Sequence, residues 1–146
     1  MNPVFVDTSV LIAAEDIGGG DLYAATLAWL DVLWRTRTGR TSNQALVEFY
    51  DQVTTAATPM PQGDARAAIR RYQTWTPWKT DAATLETAWA VQARHELPFG
   101  DCLAVACAQH SGSEQMLSLH LPHGAEFGGV TMVNPMQQAA PEFEES

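Results

Sequence analysis

The sequence predicts an α/β protein, with a parallel sheet of about five short strands flanked by helices on both faces. Three observations point there. Short apolar runs rich in β-branched residues alternate with stretches at helical spacing. The first run, PVFVD, stops on an acid. Breaker clusters, IGGGD, TPMPQGD and LPFGD, divide the chain into strand–helix units.

In chain order, PVFVD reads as a buried first strand ending at Asp7, and Thr8-Ser9 opens a helix through VLIAA. Ala24, Leu27, Ala28 and the run from Leu30 to Leu33 give a second helix reaching about Trp34. A minimal strand at Arg40 to Thr41 follows. Ser42 or Asn43 then caps a helix whose Leu46, Phe49, Tyr50 and Val53 share one face. A helix from Asp64 to Gln73, a short strand at PWKTD and a helix from Ala82 to His95 come next. Asp101 stands where an N-cap or first-turn acid belongs, before the helix CLAVACAQH, which is apolar nearly all round and so predicted to be buried. Met116 to Leu119 and Gly129 to Val133 complete the strands. The domain is expected to span residues 1–135, followed by an acidic, disordered tail over 136–146 that holds Glu142, Glu144 and Glu145.

With 146 residues, 46% of them hydrophobic, the chain fits one compact domain. No apolar run approaches the roughly 18 residues of a membrane span, and MNPVFVD lacks the basic opening of a secretory signal, so a cytoplasmic protein is expected. Cys102 and Cys107 lie within one apolar helix at a spacing that points them apart, which predicts reduced core thiols. A net charge of −9 argues against broad adhesion to nucleic acid through a basic surface. Six of the eight bases are clustered, with Arg35, Arg37 and Arg40 around one loop and Arg66, Arg70 and Arg71 on one helix, while Lys79 and Arg94 stand apart.

In an open parallel sheet, ligands gather outside the carboxyl ends of the strands. Asp7 and His120 fall at such ends, and Asp101 begins a helix that can reach the same edge. Carboxylates grouped there would form a hard oxygen site for Mg²⁺ or Mn²⁺, although helix capping explains either Asp taken alone. Glu48 points nearly opposite the Leu46, Phe49 and Val53 stripe, so periodicity reads it as solvated. Asp51 shares that polar side, and nothing internal to the helix prefers one acid to the other.

The blocks VFVDTSVLIAAED, SNQALVEFYDQVT, LPFGDCLAVACA and LSLHLPHGAEFGGVTMVNP lie in an order and spacing that resemble PIN-domain ribonucleases of the VapC toxin group, over residues 3 to 135. The resemblance implies Asp7, Glu48 and Asp101 as the catalytic, metal-holding acids and Ser9 as the residue that orients Asp7. Two departures stand out. Gly100 replaces the aromatic residue common before the third acid, and LSLHLPHG stands where the family has a stretch like LSEDLQHG. The fourth acid is therefore missing, and its position is taken by His120, a further candidate ligand that suits Mn²⁺ better than Mg²⁺. His120 and His123 form an HxxH, but Pro122 between them argues against a helical zinc pair, and likeness to the family makes His123-Gly124 a turn feature.

The function so implied is a divalent-metal-dependent endoribonuclease, a VapC-type toxin that hydrolyses RNA phosphodiester bonds by in-line attack of water. A cognate antitoxin and a homodimer come with the resemblance. Arg35, Arg37, Arg40, Arg70 and Arg71 are candidates for contact with RNA phosphates. The alternative is a catalytically silent PIN-fold binding module acting through RNA or a protein partner. A phosphoacceptor receiver domain fits less well, because the acid after the first strand is single and the one lysine, Lys79, sits at mid-chain.

Overall fold

The computed structural model describes residues 1–142. Its elements run β1 (Val4–Val6), α1 (Thr8–Ala14), α2 (Gly20–Thr36), β2 (Gly39–Arg40), α3 (Asn43–Thr55), α4 (Gln62–Gln73), α5 (Ala82–His95), α6 (Phe99–His110), β3 (Gln115–Leu117), β4 (Glu126–Phe127) and β5 (Val130–Val133). The sheet order is β2-β1-β3-β5-β4. β1 pairs in parallel with β2 and β3, and β3 with β5, so the predicted parallel sheet is present.

Two of the strand expectations need correction. PWKTD is not a strand: Trp78 makes a single bridge to Ser42 and the pairing goes no further. Pro77 has no N–H to add a second rung, and Thr76 at φ 52° turns the chain out of the extended region. The fifth strand is β4 instead, antiparallel to β5 at the sheet edge. Gly128 and Gly129, at φ 58° and 79°, supply the two-residue turn between them, which needs positive φ at both positions.

Side chains alternate along β1, and this divides the core into two halves. Val4 and Val6 face α1 to α4, where Trp29, Leu33, Phe49 and Tyr72 are buried with them. Phe5 faces α5 and α6 with Met116, Met132 and Val105. Burying one such side chain contributes about 1.5–3 kcal/mol, so α6, with six buried residues between Cys102 and Ala108, is held between α5 and the sheet. Cys102 and Cys107 are free thiols in that core. Burial pushes both thiols above their ordinary pKa, which keeps them protonated.

Caps set the helix starts that matter for the site. The Ser42 side chain accepts from Ala45 N at 3.0 Å and starts α3, settling the choice between Ser42 and Asn43. Pro98 precedes α6, so Asp101 is a first-turn acid and not the cap. After β5 the chain turns back, and Trp29 Nε1 donates to Gln138 O at 2.9 Å while Ala140 packs against the core. Residues 143–146, the end of the stretch read as a tail, lie outside the described residues. Among the described residues no helix is long and apolar enough to cross a membrane.

Candidate active site

The carboxyl edge of the sheet carries a cavity of about 270 Å³ lined by Asp7, Ser9, Glu48, Asp101 and His120, with Thr8, Gln52, Pro98 and Gly100 completing it. Four separate elements meet there. β1 delivers Asp7, α3 delivers Glu48, the first turn of α6 delivers Asp101, and the loop after β3 delivers His120. Ser118 shapes that loop, since its hydroxyl accepts from His120 N and Leu121 N.

Asp7 occupies the N-cap of α1 yet makes no side-chain cap hydrogen bond. Its carboxylate turns to the cavity and accepts from Ser9 Oγ at 2.8 Å, while Ser9 Oγ in turn accepts from Leu119 N at 3.2 Å. The second contact ties the orienting serine to the loop that bears His120. Burial pushes the Asp7 carboxyl above its ordinary pKa. The Ser9 hydrogen bond and the His120 charge pull it down, the Asp101 charge raises it, and the net shift remains upward.

His120 bridges the two aspartates. Nε2 lies 2.7 Å from Asp101 Oδ1, a short hydrogen bond, and Nδ1 lies 3.6 Å from Asp7 Oδ2, an electrostatic contact too long for a hydrogen bond. Partial burial disfavours the imidazolium, but the hydrogen bond to Asp101 and the charges of Asp7 and Asp101 outweigh it, and the His120 pKa is raised.

Glu48 is half-buried, where periodicity read it as solvated. Thr8 Oγ1 donates to its Oε2 at 3.1 Å and Gln44 Nε2 to its Oε1 at 3.2 Å. Asp51, one turn on, is exposed and does not line the cavity. Gly100 leaves room beside Glu48: a Cβ added there would come no closer than 3.9 Å to Oε1. Thr8, Gln44 and Ser118 belong to this constellation and went unread in the sequence, where they are common hydroxyl or amide residues near helix starts and turns.

A divalent ion suits the chemistry of this donor set. The oxygens are hard, Asp7 is held against its own charge, and an imidazole already stands between Asp7 and Asp101 where a cation would be welcome. The side chains do not yet converge: among the described residues no three His, Cys, Asp or Glu groups gather closely enough to hold an ion. His120 fills the space between the aspartates, and Thr8 and Gln44 hold Glu48 aside.

The remaining histidines lie outside the carboxylate cavity. His123 Nδ1 accepts from Asn134 N at 3.0 Å beside Gly124 at φ 82°, as expected of a turn. His95 packs edge-on against Phe127, and His110 pairs with Thr87 Oγ1 at 2.8 Å. None of Arg35, Arg37, Arg40, Arg70 and Arg71 lines the carboxylate cavity. Arg35 pairs with Asp31, and Arg71 with Glu15.

Comparison with known proteins extends this picture. No curated protein sequence matches the chain. Among solved structures it is similar to the Mycobacterium tuberculosis VapC20 toxin, described as cleaving the sarcin-ricin loop, at 22% identity and a TM-score of 0.59 over 77% of this chain and 86% of that one. It is also similar to VapBC2 from Rickettsia felis bound to a promoter DNA fragment, at 12% identity and TM-score 0.66, covering 90% and 97% of the two chains. DNA-bound VapBC from Salmonella typhimurium matches at 11% identity and TM-score 0.67, covering 92% and 99%. At these identities the likeness speaks for the fold. The PIN domain profile matches residues 4–119, a span that takes in Asp7, Glu48 and Asp101, and the chain belongs to the PIN domain family.

Proposed function

We propose that this protein is a divalent-metal-dependent endoribonuclease of the VapC toxin type, neutralised by a cognate antitoxin. The observation that carries the reading is the grouping of Asp7, Glu48 and Asp101, delivered by three elements, around one cavity in which the His120 imidazole already bridges two of them. Asp7 and Asp101 would hold Mg²⁺ or Mn²⁺, with Glu48 as the third carboxylate, Ser9 as the group that orients Asp7, and His120 as a further ligand. When bound, the ion supplies charge that activates a water and stabilises the phosphoryl oxygens. The attacking water forms the new O–P bond in line, the P–O3′ bond breaks, and the products carry a 5′-phosphate and a 3′-hydroxyl. Likeness to VapBC structures supports an antitoxin partner, and a homodimer is proposed with it as part of the family reading.

The test is cleavage of RNA by the purified chain, titrated with Mn²⁺ and with Mg²⁺, with and without chelator, and with the product ends identified. Metal-dependent cleavage leaving 5′-phosphates is expected. A second reading, a silent PIN-fold binding module, is favoured by the way His120, Thr8 and Gln44 hold the acids apart. RNA binding without cleavage at any metal concentration would establish it.

A further inference from the structure

We propose that a second cleft, at the opposite end of α6 from Asp101, binds one nucleotide unit of single-stranded RNA. The cleft, about 720 Å³, is lined by Trp34, Trp75, Trp78, Arg37, Arg40 and His110, and no acidic side chain lines it. His110 is nine residues along α6 from Asp101, which at the helical rise is about 14 Å. The cleft is therefore separate from the carboxylate cavity.

Several of its residues carry a local cost to the fold. Trp75 Nε1 is the one buried side-chain N or O atom without a hydrogen-bond partner among the described residues. The Trp75 indole lies flat on β2, where Gly39 alone permits it: a Cβ at Gly39 would come within 2.5 Å of the ring. Among the described residues, two of the three non-glycine residues at positive φ, Arg37 at 58° and Thr76 at 52°, also line the cleft. Glycine would relieve the strain at Arg37, the αL residue that ends α2, so a long cationic side chain is kept there against backbone preference.

The charge is equally unspent. Among the described residues no carboxylate lies within ion-pair distance of Arg37 or Arg40. Arg40 Nη1 donates to Gly39 O at 2.9 Å and Arg37 O at 3.4 Å, which fixes the guanidinium against the backbone and leaves its other N–H groups for a ligand. Trp78 is fixed too, since its Nε1 donates to Thr84 Oγ1 at 2.9 Å. The fixed Arg40 guanidinium and the exposed Arg37, beside the half-buried indoles of Trp34 and Trp78, match a phosphate next to a base: the arginines offer charge-assisted hydrogen bonds, the indoles a stacking face. Duplex RNA buries its base faces and cannot use the indoles. In a chain of net charge −9, this cleft gives a polyanion a cationic foothold away from the acids.

The inference shares with the proposed function the view that RNA is the ligand, but its test needs no cleavage. A labelled single-stranded oligoribonucleotide is titrated into the full chain in EDTA, with anisotropy as the readout. The double variant Arg37→Gln/Arg40→Gln, which alters two side chains outside both halves of the core, is expected to weaken binding by about tenfold or more, as losing charged hydrogen bonds does. Its slope of log K against log salt should also shrink by about 0.7, the value for one phosphate contact on single strands. Asp101→Asn should bind at least as well as the parent. Duplex RNA and inorganic polyphosphate should compete poorly. Equal binding by the arginine variant overturns the proposal, and equal competition by polyphosphate reduces the cleft to a plain anion site and overturns it as well. Arginine-dependent binding without cleavage in Mn²⁺ would keep the cleft and remove the nuclease reading. Cleavage without arginine-dependent binding would do the reverse.

Discussion

Asp7 and Asp81, acids at opposite ends of the α5–α6 layer, are held in opposite ways. Asp81 caps α5: its Oδ1 accepts from Thr84 N at 2.8 Å and Thr84 Oγ1 at 2.7 Å, and these bonds hold its pKa below the ordinary value. Asp7 is buried beside a second carboxylate and its pKa is pushed up. An acid that serves the fold is made comfortable as an anion. One set against burial and like charge is a candidate for binding a cation, and the proposed metal site at the carboxyl edge of the sheet rests on that contrast.

The contrast breaks most visibly at Asp7 and Asp101. Asp7→Asn or Asp101→Asn is expected to lower RNA cleavage by at least about a hundredfold, since even partners of metal ligands cost 10- to 100-fold. The circular dichroism spectrum should be unchanged. Asp7→Asn should also raise the melting temperature by a few degrees, roughly 2–4 °C for a chain of this size, because it removes a buried charge that the fold disfavours. A wild-type cleavage rate in either variant would remove that acid from the site.

A smaller effect separates Glu48 from its neighbour. Glu48→Gln should reduce cleavage by about tenfold or more, while Asp51→Asn should leave it near wild type. The reverse ranking in matched assays would move the third carboxylate one turn along α3. His120→Asp sharpens the comparison from the other side, by restoring a carboxylate where an imidazole stands. It should tighten Mg²⁺ binding by several-fold, about 1 kcal/mol on the scale of a charged contact, and raise Mg²⁺-supported cleavage over Mn²⁺. If neither affinity nor rate changes, His120 takes no part.

The smallest expected effect lies at Asp81. Its depressed pKa contributes stability that is fully present above the unfolded carboxyl value and is lost as pH falls through the lower folded value. Melting temperature followed from neutral pH into acid should therefore fall less steeply in Asp81→Asn, which still caps α5. Identical acid limbs for parent and variant would show that Asp81 gives no pH-linked stability.

How far the sequence reveals this layout depends on the range of the signal. Asp7 and Asp101 are legible because a strand end and a helix start are local events, and both elements were predicted close to their observed bounds. Glu48 is not legible from periodicity. The stripe of Leu46, Phe49 and Val53 points away from it, and its burial comes from α1, which covers the flank of α3 that also buries Ala45. Alanine carries too little apolar weight to announce a second buried face, so family resemblance was needed to choose Glu48 over Asp51. The Gly128-Gly129 hairpin was a readable turn signal absorbed into the expected last strand. PWKTD has β-strand character in its tryptophan and threonine, but Pro77 and the left-handed Thr76 stop it at one bridge. Of the tryptophan–arginine cleft the sequence offers only Arg37 and Arg40 as phosphate-contact candidates, since the cleft gathers residues from the ends of α2, α4 and α6 with β2 between them.

The most direct measurement of the central claim is calorimetric titration of Mn²⁺ into the purified chain and into Asp101→Asn, which reads the proposed metal site without requiring any RNA. Saturable heat in the parent protein, lost or greatly weakened in the variant, is the predicted result. Equal affinity in the two proteins would contradict the assignment of Asp7, Glu48 and Asp101 as a metal-holding set.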